Sequence, residues 1–261
     1  MSCSITYEHV SYTYADGTEA LRDVSFMLSH GEHVALLGPN GAGKSTIMLL
    51  SNGVLLPQAG NVRVGDTLLG PKTLVEIRRR VGLLFQDPDD QLFMTTLYDD
   101  VAFGPLNNPP RNHAPQNHAP LSNAGDRDDR DPVKSLVDDA LAAVSLIEFA
   151  GKAPQDLSFG QKKRAALACV LAMQPDFLIL DEPSSNLDPR GRRQMMELIR
   201  GIEGTVLIAT HDLDLVWELL GRSIILDGGQ VVADGPTREL LRDRELVEAH
   251  GLELPAAVRY G

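Results

Sequence analysis

The chain is poor in cysteine. Cys3 and Cys169 are the only cysteines in its 261 residues, and they lie far apart in the sequence. Two distant cysteines cannot supply the disulfide framework of a small secreted domain, so we expect a reducing, cytoplasmic compartment. The first ten residues also lack the apolar stretch of a signal peptide, which agrees with that expectation.

Long apolar runs are missing as well. The longest uninterrupted one covers residues 165–173, which is far short of the roughly 18 residues that a membrane-spanning helix needs. We therefore expect any role at a membrane to depend on a partner protein.

Positive charge is scarce. The chain carries 24 Lys and Arg against 36 Asp and Glu, which gives a formal net charge of −12. A protein dedicated to nucleic-acid binding needs a basic face, so we expect no nucleic-acid partner. A chain of this length can bury a large α/β core, and we predict a single domain over residues 1–261.

Short apolar runs alternate with helical patterns along the chain. The runs lie at residues 81–85, Phe177–Asp181 and 205–210, and the helical patterns at 135–150, 160–173 and 191–202. Such runs are typical of parallel strands covered on both faces. The alternation predicts an α/β fold with a mostly parallel sheet and helices on both sides. Residues 5–10, 24–29 and 62–69 are predicted to form further strands.

Residues 105–132 interrupt this alternation. They are rich in proline, contain the repeated sequence Asn-His-Ala-Pro and end in a run of charged residues. A segment with almost no apolar content has little to bury, so we predict a mobile insertion.

Residues 38–46, GPNGAGKST, fit the phosphate-binding pattern G-x-x-x-x-G-K-[ST]. They follow a predicted strand at His33–Leu37 and precede a helical pattern. Glycines let the backbone curl so that its N–H groups point into one concavity. Lys44 can neutralise β- and γ-phosphate oxygens, and Ser45 can hold Mg²⁺. The alternative is a glycine-rich turn with an incidental lysine.

Polar residues follow three of the predicted strands. Asp181 ends the run FLILD and can ligate Mg²⁺, while Glu182 can accept a proton from an attacking water. His211 follows residues 205–210 and can contact the γ-phosphate or hold that water. Gln86 follows residues 81–85 and can bind Mg²⁺ or water. The alternatives are acids that cap a strand, a structural histidine and a surface glutamine.

A second phosphate-binding tip is predicted at residues 157–161, LSFGQ. Ser158 is a good helix N-cap, and Gly160 allows a ligand to approach the backbone closely. Because the phosphate loop already supplies one such site, a second tip suggests that two chains share each ATP. The alternative is an ordinary capped helix.

Together these motifs resemble the nucleotide-binding subunit of ATP-binding cassette (ABC) transporters over nearly the whole chain. Residues 38–46 resemble Walker A, 157–161 the signature motif (LSFGQ where LSGGQ is commoner), 177–182 Walker B with its catalytic glutamate, and 184–188 the D-loop. Gln86 matches the Q-loop glutamine and His211 the switch histidine. The resemblance implies an ATPase with a P-loop core, an antiparallel β subdomain and a helical subdomain at about residues 87–172.

The resemblance also implies ATP and Mg²⁺ as cofactors and a set of contacts to them. The nucleotide contacts would come from Gly38, Asn40, Gly41, Gly43, Lys44, Ser45 and Thr46, and across a dimer from Ser158, Gly160 and Gln161. Ser45, Gln86 and Asp181 would hold Mg²⁺, with Glu182, His211 and Gln86 as catalytic residues. Tyr14 lies where this family places an aromatic ring against adenine, although Tyr12 competes for that role.

A closer resemblance comes from residues 85–93, FQDPDDQLF, with support from residues 181–190 and 251–255. They are similar to the ATPases of energy-coupling-factor and cobalt/nickel uptake systems. This implies an importer subunit at the cytoplasmic face of the membrane, with cobalt or nickel favoured over a vitamin as cargo. Gln91, Leu92 and Phe93 would receive a membrane subunit, unless Leu92 and Phe93 form a small core contact. A soluble ABC ATPase is the rival, and a homodimer and a heterodimer both remain open.

Overall fold

The structure is a computed structural model that describes residues 4–109 and 132–260. Most of the predicted insertion, residues 110–131, lies outside the described residues. The strands are β1 (Ile5–Thr13), β2 (Glu19–Leu28), β3 (His33–Leu37), β4 (Ala59–Val64), β5 (Thr67–Leu68), β6 (Val81–Leu84), β7 (Phe177–Asp181), β8 (Thr205–Ala209), β9 (Arg222–Asp227) and β10 (Gln230–Pro236). The helices are α1 (Lys44–Ser51), α2 (Leu74–Arg80), α3 (Leu97–Asn107), α4 (Pro132–Ala143), α5 (Phe159–Leu171), α6 (Pro189–Arg200), α7 (Leu213–Leu219), α8 (Thr237–Leu240), α9 (Arg244–Ala249) and α10 (Ala256–Arg259).

The larger sheet has the strand order β10-β9-β3-β8-β7-β6 among the described residues. All neighbours are parallel except β10, which runs antiparallel to β9. Its central strands β3, β7 and β8 are apolar except at one end because both faces are covered, and Leu36, Leu180 and Ile208 are fully buried. This arrangement confirms the predicted α/β fold class.

A second, antiparallel sheet has the order β2-β1-β4-β5 and covers helix α1. The ring of Tyr7 on β1 stacks on Phe26 of β2, with ring centroids 4.4 Å apart. The Tyr7 hydroxyl donates to the carbonyl oxygen of Ile47 on α1 at 2.9 Å, and burial raises its pKa well above the ordinary value. The sheet thereby holds the helix that begins directly after the phosphate loop.

Helices α3, α4 and α5 pack together as a helical lobe. The guanidinium of Arg164 on α5 donates to the carbonyl oxygen of Val144, just after α4, at 2.7 Å. None of the helices in the described part of the chain is long and apolar enough to cross a lipid bilayer.

Two boundaries differ from the sequence predictions. The helix predicted over residues 135–150 ends at Ala143, because Ser145 adopts a left-handed φ of 57°, and a short 3₁₀ turn follows at Ile147–Phe149. Residues 105–107, which were predicted to belong to the insertion, are helical, because α3 continues through Pro105 to Asn107. Pro105 is buried with the apolar face of α3, so its packing compensates for the hydrogen bond that proline cannot donate.

Candidate nucleotide-binding and hydrolysis site

The predicted site residues converge on one edge of the larger sheet. Strands β3, β8, β7 and β6 are parallel neighbours, so the segments that follow them open on the same side. In the register, Ala209 lies opposite both Leu36 and Asp181. Ligands of open α/β sheets bind at this carboxyl edge. The structure therefore brings together the phosphate loop, the Asp181–Glu182 pair and His211.

The phosphate loop requires glycine at two positions. Gly38 has a φ of 147°, and a Cβ there would lie 2.1 Å from the carbonyl oxygen of Leu226. Gly43 has a φ of 106°, and a Cβ there would lie 2.7 Å from the carbonyl oxygen of Ala20. Neighbouring backbone therefore excludes any side chain at these two positions. Between them, Asn40 and Gly41 are exposed and accessible to a ligand.

Lys44 folds back over this loop. Its Nζ donates to the carbonyl oxygens of Gly38 at 2.7 Å and Pro39 at 3.0 Å. Burial lowers the pKa of Lys44, while the carboxylates of Glu182 and Asp181 act in the opposite direction. The ammonium group is thus held beside the two acids at the mouth of the loop.

The start of α1 and Tyr14 form one side of the loop. Ser45 is exposed, whereas Thr46 is buried. The Tyr14 hydroxyl lies 3.0 Å from Thr46 Oγ1, and the Tyr14 ring meets the Tyr12 ring edge to face with centroids 5.1 Å apart. Both tyrosines are half-buried. The two rings therefore lie against the phosphate-loop helix as a pair.

Glu182 is held from several directions. Its backbone has a left-handed φ of 44°, and its N–H donates to the carbonyl oxygen of Ala209 at 2.8 Å. Its Oε2 accepts from the Thr210 hydroxyl at 2.9 Å. Its Oε1 accepts from the His211 backbone N–H at 3.0 Å and lies 2.7 Å from His211 Nδ1. The Glu182 side chain is 11% exposed and that of His211 74%, so the acid is fixed within the site and the imidazole faces outward.

Asp181 is half-buried beside Glu182. Burial raises its pKa, the charge of Glu182 adds to that increase, and Lys44 and Lys163 oppose it. Ser45 and Gln86, the other predicted Mg²⁺ ligands, are exposed. No cluster of three or more His, Cys, Asp or Glu that could hold a metal occurs within residues 4–109 and 132–260. A carboxylate with hydroxyl and amide oxygens suits Mg²⁺ that is completed by substrate phosphates, so the donor set fits the predicted ion.

Lys163 belongs to the same region, although the motifs do not point to it. It is fully buried, and its Nζ donates to the carbonyl oxygen of Glu182 at 2.7 Å and to Ser185 Oγ at 3.0 Å. A signal was present in the sequence, because Lys163 shares one helical face with Ala166, Leu167 and Val170, and a lysine on an apolar face needs a buried partner.

The ion pair Arg192–Asp212 links segments around the site. Arg192 on α6 binds both carboxylate oxygens of Asp212, at 2.8 and 3.0 Å. The same carboxylate accepts from the Ser184 hydroxyl at 3.2 Å and caps α7 through the Leu215 N–H. The pair therefore joins the segment after Glu182 to the segment after His211.

The predicted second tip lies at the start of α5. Ser158 Oγ accepts from the Gln161 N–H at 3.4 Å, and Gln161 Oε1 accepts from the Ser158 N–H at 2.8 Å, which is a capping box. An open hollow beside it is lined by Ser158, Gly160 and Gln161 together with residues 186–188, and by no residue of the chain's own phosphate loop. Within one chain, the described residues do not place this tip over the phosphate loop.

Of the three residues predicted to contact a membrane subunit, only Phe93 is largely exposed. Gln91 is half-buried, and its amide donates to the carbonyl oxygen of Ala166 at 3.0 Å. Leu92 is only 7% exposed and belongs to the larger of the two buried apolar clusters, which agrees with the core contact that was the alternative to a place in the groove. Phe93 is 63% exposed and packs edge to face on Phe103 with centroids 5.0 Å apart.

The sequence profile of the ABC transporter family matches residues 21–185. The chain belongs to this family. It is 48% identical to an ABC transporter ATP-binding protein of Gloeobacter violaceus, over 97% of this chain and 98% of that protein. It is 40% identical to the energy-coupling factor transporter ATP-binding protein EcfA of Carboxydothermus hydrogenoformans, over 99% of this chain and 90% of EcfA. CbiO1 of Clostridium perfringens, part of the ABC transporter complex CbiONQ, superposes with a TM-score of 0.78 at 33% identity, over 99% of this chain and 98% of CbiO1.

These relatives confirm the resemblance drawn from the motifs. The chain is the ATPase subunit of an ABC transporter, and it binds and hydrolyses ATP. ATPase subunits of this family work as dimers together with membrane subunits. The hollow at the start of α5 contains no residue of the chain's own phosphate loop. This separation agrees with a protein that works as a dimer.

Proposed function

We propose that this chain powers an importer of the energy-coupling-factor or cobalt/nickel type from the cytoplasmic face of the membrane. The observation that carries the proposal is the exposed aromatic pair Phe93–Phe103 on the helical lobe. Phe93 ends the segment most similar to those ATPases, residues 85–93, and Phe103 lies on α3. We call Phe93, Phe103 and Leu106 the docking surface. Exposed apolar residues that lie together are typical of protein interfaces.

Hydrogen bonds to Asp100 fix the backbone of the docking surface at Phe93, which suits a surface that transmits movement to a partner. Asp100 is buried, and one of its carboxylate oxygens accepts the N–H groups of Phe93 at 2.9 Å and Met94 at 3.0 Å. Its other oxygen finds no hydrogen-bond partner among the described residues, and burial raises the pKa of the group. Leu92 anchors the same segment in the core. The partner would be a short helix of a membrane subunit with an apolar face.

We propose the following roles at the nucleotide. Lys44 and the backbone of residues 38–46 would bind the phosphates, Tyr14 would contact adenine, and Ser45, Gln86 and Asp181 would hold Mg²⁺. Bound Mg²⁺ supplies charge neutralisation at the β- and γ-phosphates. Glu182 would take a proton from the attacking water, because the Thr210 and His211 contacts fix its carboxylate at the sheet edge. His211 is exposed and would reach the γ-phosphate.

The dimer would sandwich ATP between two chains, as a homodimer or a heterodimer. Ser158, Gly160 and Gln161 of one chain would meet the phosphate loop of the other. The whole chain would then act as one nucleotide-binding domain, with residues 87–172 as the helical subdomain. Closure on ATP would move the docking surfaces together, and hydrolysis would release them.

For the cargo we favour cobalt or nickel ions. The likeness of residues 85–93 and 181–190 to metal-uptake ATPases and the structural similarity to CbiO1 support this choice. The identity to EcfA supports a second candidate, vitamin uptake by an energy-coupling-factor transporter. A soluble ABC ATPase is the third candidate, and the exposed aromatic pair weighs against it.

Complementation of cells that lack this gene tests the proposal. Wild-type protein should restore uptake of trace radiolabelled Co²⁺ or Ni²⁺, and Glu182→Gln should not. Phe93→Asp should also fail, because a charge on the docking surface opposes an apolar partner. Val75→Asp is the matched control, since Val75 is an aliphatic residue exposed to the same degree, 62% against 63%, on α2.

The outcomes separate the candidates. Normal metal uptake with lost biotin uptake in the deletion strain would overturn the metal cargo and favour the vitamin. Normal uptake of both, or full restoration of uptake by Phe93→Asp, would contradict the importer proposal.

A further inference from the structure

We infer that Lys163 is a positioning residue, which holds Glu182 in its working geometry and joins it to the helix that carries the signature tip. The inference rests on the proposed role of Glu182 as the catalytic base. No motif of the chain includes Lys163, and its burial and contacts carry the inference.

Lys163 differs from its two basic neighbours on α5. Lys162 forms an ion pair with Asp89 at 2.7 Å, and Arg164 reaches the carbonyl oxygen of Val144. Lys163 alone of the three is fully buried, and burial lowers its pKa to about 8 against the attraction of Glu182, Asp181 and Asp87. A buried ammonium group is costly unless its protons are hydrogen-bonded. Its bonds to Glu182 and Ser185 offset that cost.

The bond that matters most is made to Glu182 itself. The Glu182 carbonyl oxygen accepts from Lys163 Nζ at 2.7 Å and from the Ser185 hydroxyl at 2.8 Å. The same residue has a left-handed φ of 44°, a conformation that a non-glycine residue keeps only when its surroundings enforce it. That conformation points the Glu182 carboxylate at Thr210 and His211. Lys163 therefore stabilises the backbone geometry on which the carboxylate position depends.

The same side chain links two ATP sites. Lys163 lies five residues after Ser158 on one rigid helix. In the proposed dimer, Ser158 meets the partner's ATP, whereas Glu182 acts on the chain's own. A movement of α5 on engaging the partner's nucleotide would reach Glu182 through Lys163. This residue would thus make hydrolysis at one site depend on closure at the other.

Lys163→Met tests the inference, because methionine is an unbranched apolar side chain that matches lysine as far as Cε and lacks the Nζ donor. In the purified full chain we expect kcat for ATP to fall at least about tenfold, since a small displacement of a catalytic group has large effects on rate. The KM for ATP should stay within about twofold. The melting temperature should fall only slightly, because the Glu182 carbonyl oxygen keeps the Ser185 hydroxyl and the Ser185 N–H as donors. Lys162→Met is the matched control and should retain wild-type kcat, because its partner Asp89 is exposed.

A double mutant separates positioning from general structural support. If Lys163 acts through Glu182, adding Lys163→Met to Glu182→Gln should not lower the residual rate further. A further drop of similar size, or an unchanged kcat in Lys163→Met alone, would overturn the inference. If Glu182→Gln itself keeps the wild-type rate, the proposed base has failed instead.

Should Lys163→Met not fold, Ser185→Ala carries the test. It removes one of the three donors to the Glu182 carbonyl oxygen, which are Lys163 Nζ and the hydroxyl and N–H of Ser185, and one of the two acceptors of Lys163. A fall in kcat of about threefold or more with unchanged KM would support the inference, and unchanged kcat would contradict it.

Discussion

The two proposed halves of the ATP site are built in contrasting ways. At the carboxyl edge of the sheet, Glu182 is buried, and it is hydrogen-bonded to Ala209 of β8, to Thr210 and His211 directly after β8, and to Lys163 of α5. At the start of α5, Ser158 and Phe159 are exposed, and the capping box of Ser158 and Gln161 is local. The proposed catalytic half is thus assembled within one chain, while the tip is exposed at the surface, where the proposed dimer would place a second chain.

This difference shows where each half gets its stability. A group inside a hydrogen-bond network is expensive to disturb, because its partners are left unsatisfied. A capped helix terminus at the surface can accept a ligand without rearrangement of the core. Substitutions at the sheet edge should therefore change the chemistry, and substitutions at the tip should change association.

The largest expected effect is at Glu182. Glu182→Gln keeps the shape of the side chain and removes the base, so kcat should fall by about 10²–10⁴ while ATP binding persists. Steady-state ATPase assays and nucleotide titration measure the two quantities. Glu197→Gln, at an exposed position of α6, is the control. An undiminished rate in Glu182→Gln would show that the base lies elsewhere.

The next effect concerns the tip. Ser158→Arg should leave ATP binding by a single chain intact and prevent the ATP-driven dimer, because the added side chain would collide with the partner's nucleotide. Sedimentation of Glu182→Gln with and without ATP gives the reference, and Ser158→Arg in that background should remain monomeric. If the double variant forms an ATP-dependent dimer of unchanged stability, the proposal that the tip governs association is wrong.

A smaller effect is expected at Thr210. Thr210→Val removes the hydroxyl that donates to Glu182 Oε2 at 2.9 Å and accepts the Asp212 N–H at 3.0 Å, so kcat should fall about tenfold. Thr205→Val is the control at the opposite end of β8, where the hydroxyl donates to the carbonyl oxygen of Ser29. It should lower stability by about 1 kcal/mol and keep kcat. Equal kcat losses in both would mean that Thr210 acts through stability alone.

The smallest effect tests whether the Ser158 cap stabilises only the start of α5. Ser158→Ala removes the cap of α5 and should lower the free energy of unfolding by about 1 kcal/mol. Chemical denaturation measures it, and Ser135→Ala, at an exposed position within α4, should be neutral or slightly stabilising. A loss of several kcal/mol at Ser158 would indicate that the tip is coupled to the core after all.

The sequence predicted much of this molecule because its motifs are contiguous. The glycine spacing of residues 38–46 reflects clashes with a nearby backbone that only glycine avoids. Strands β3, β7 and β8 are mostly apolar because both faces of the larger sheet are covered. The sequence did not predict the end of α4 or the continuation of α3 through Pro105. Both depend on packing within the helical lobe, which local propensity does not encode.

What the sequence alone determined was the family, the phosphate loop, the acid pair at the end of β7 and the capped tip of α5, since each is encoded within a few consecutive residues. Only the tertiary structure decided that Leu92 is buried while Phe93 is exposed, that Thr210 and His211 hold the Glu182 carboxylate, and that Lys163 reaches the Glu182 carbonyl oxygen. The physical reason is separation along the chain. These bonds join residues 19 to 29 positions apart, so they exist only once helix α5 and strands β7 and β8 have packed together.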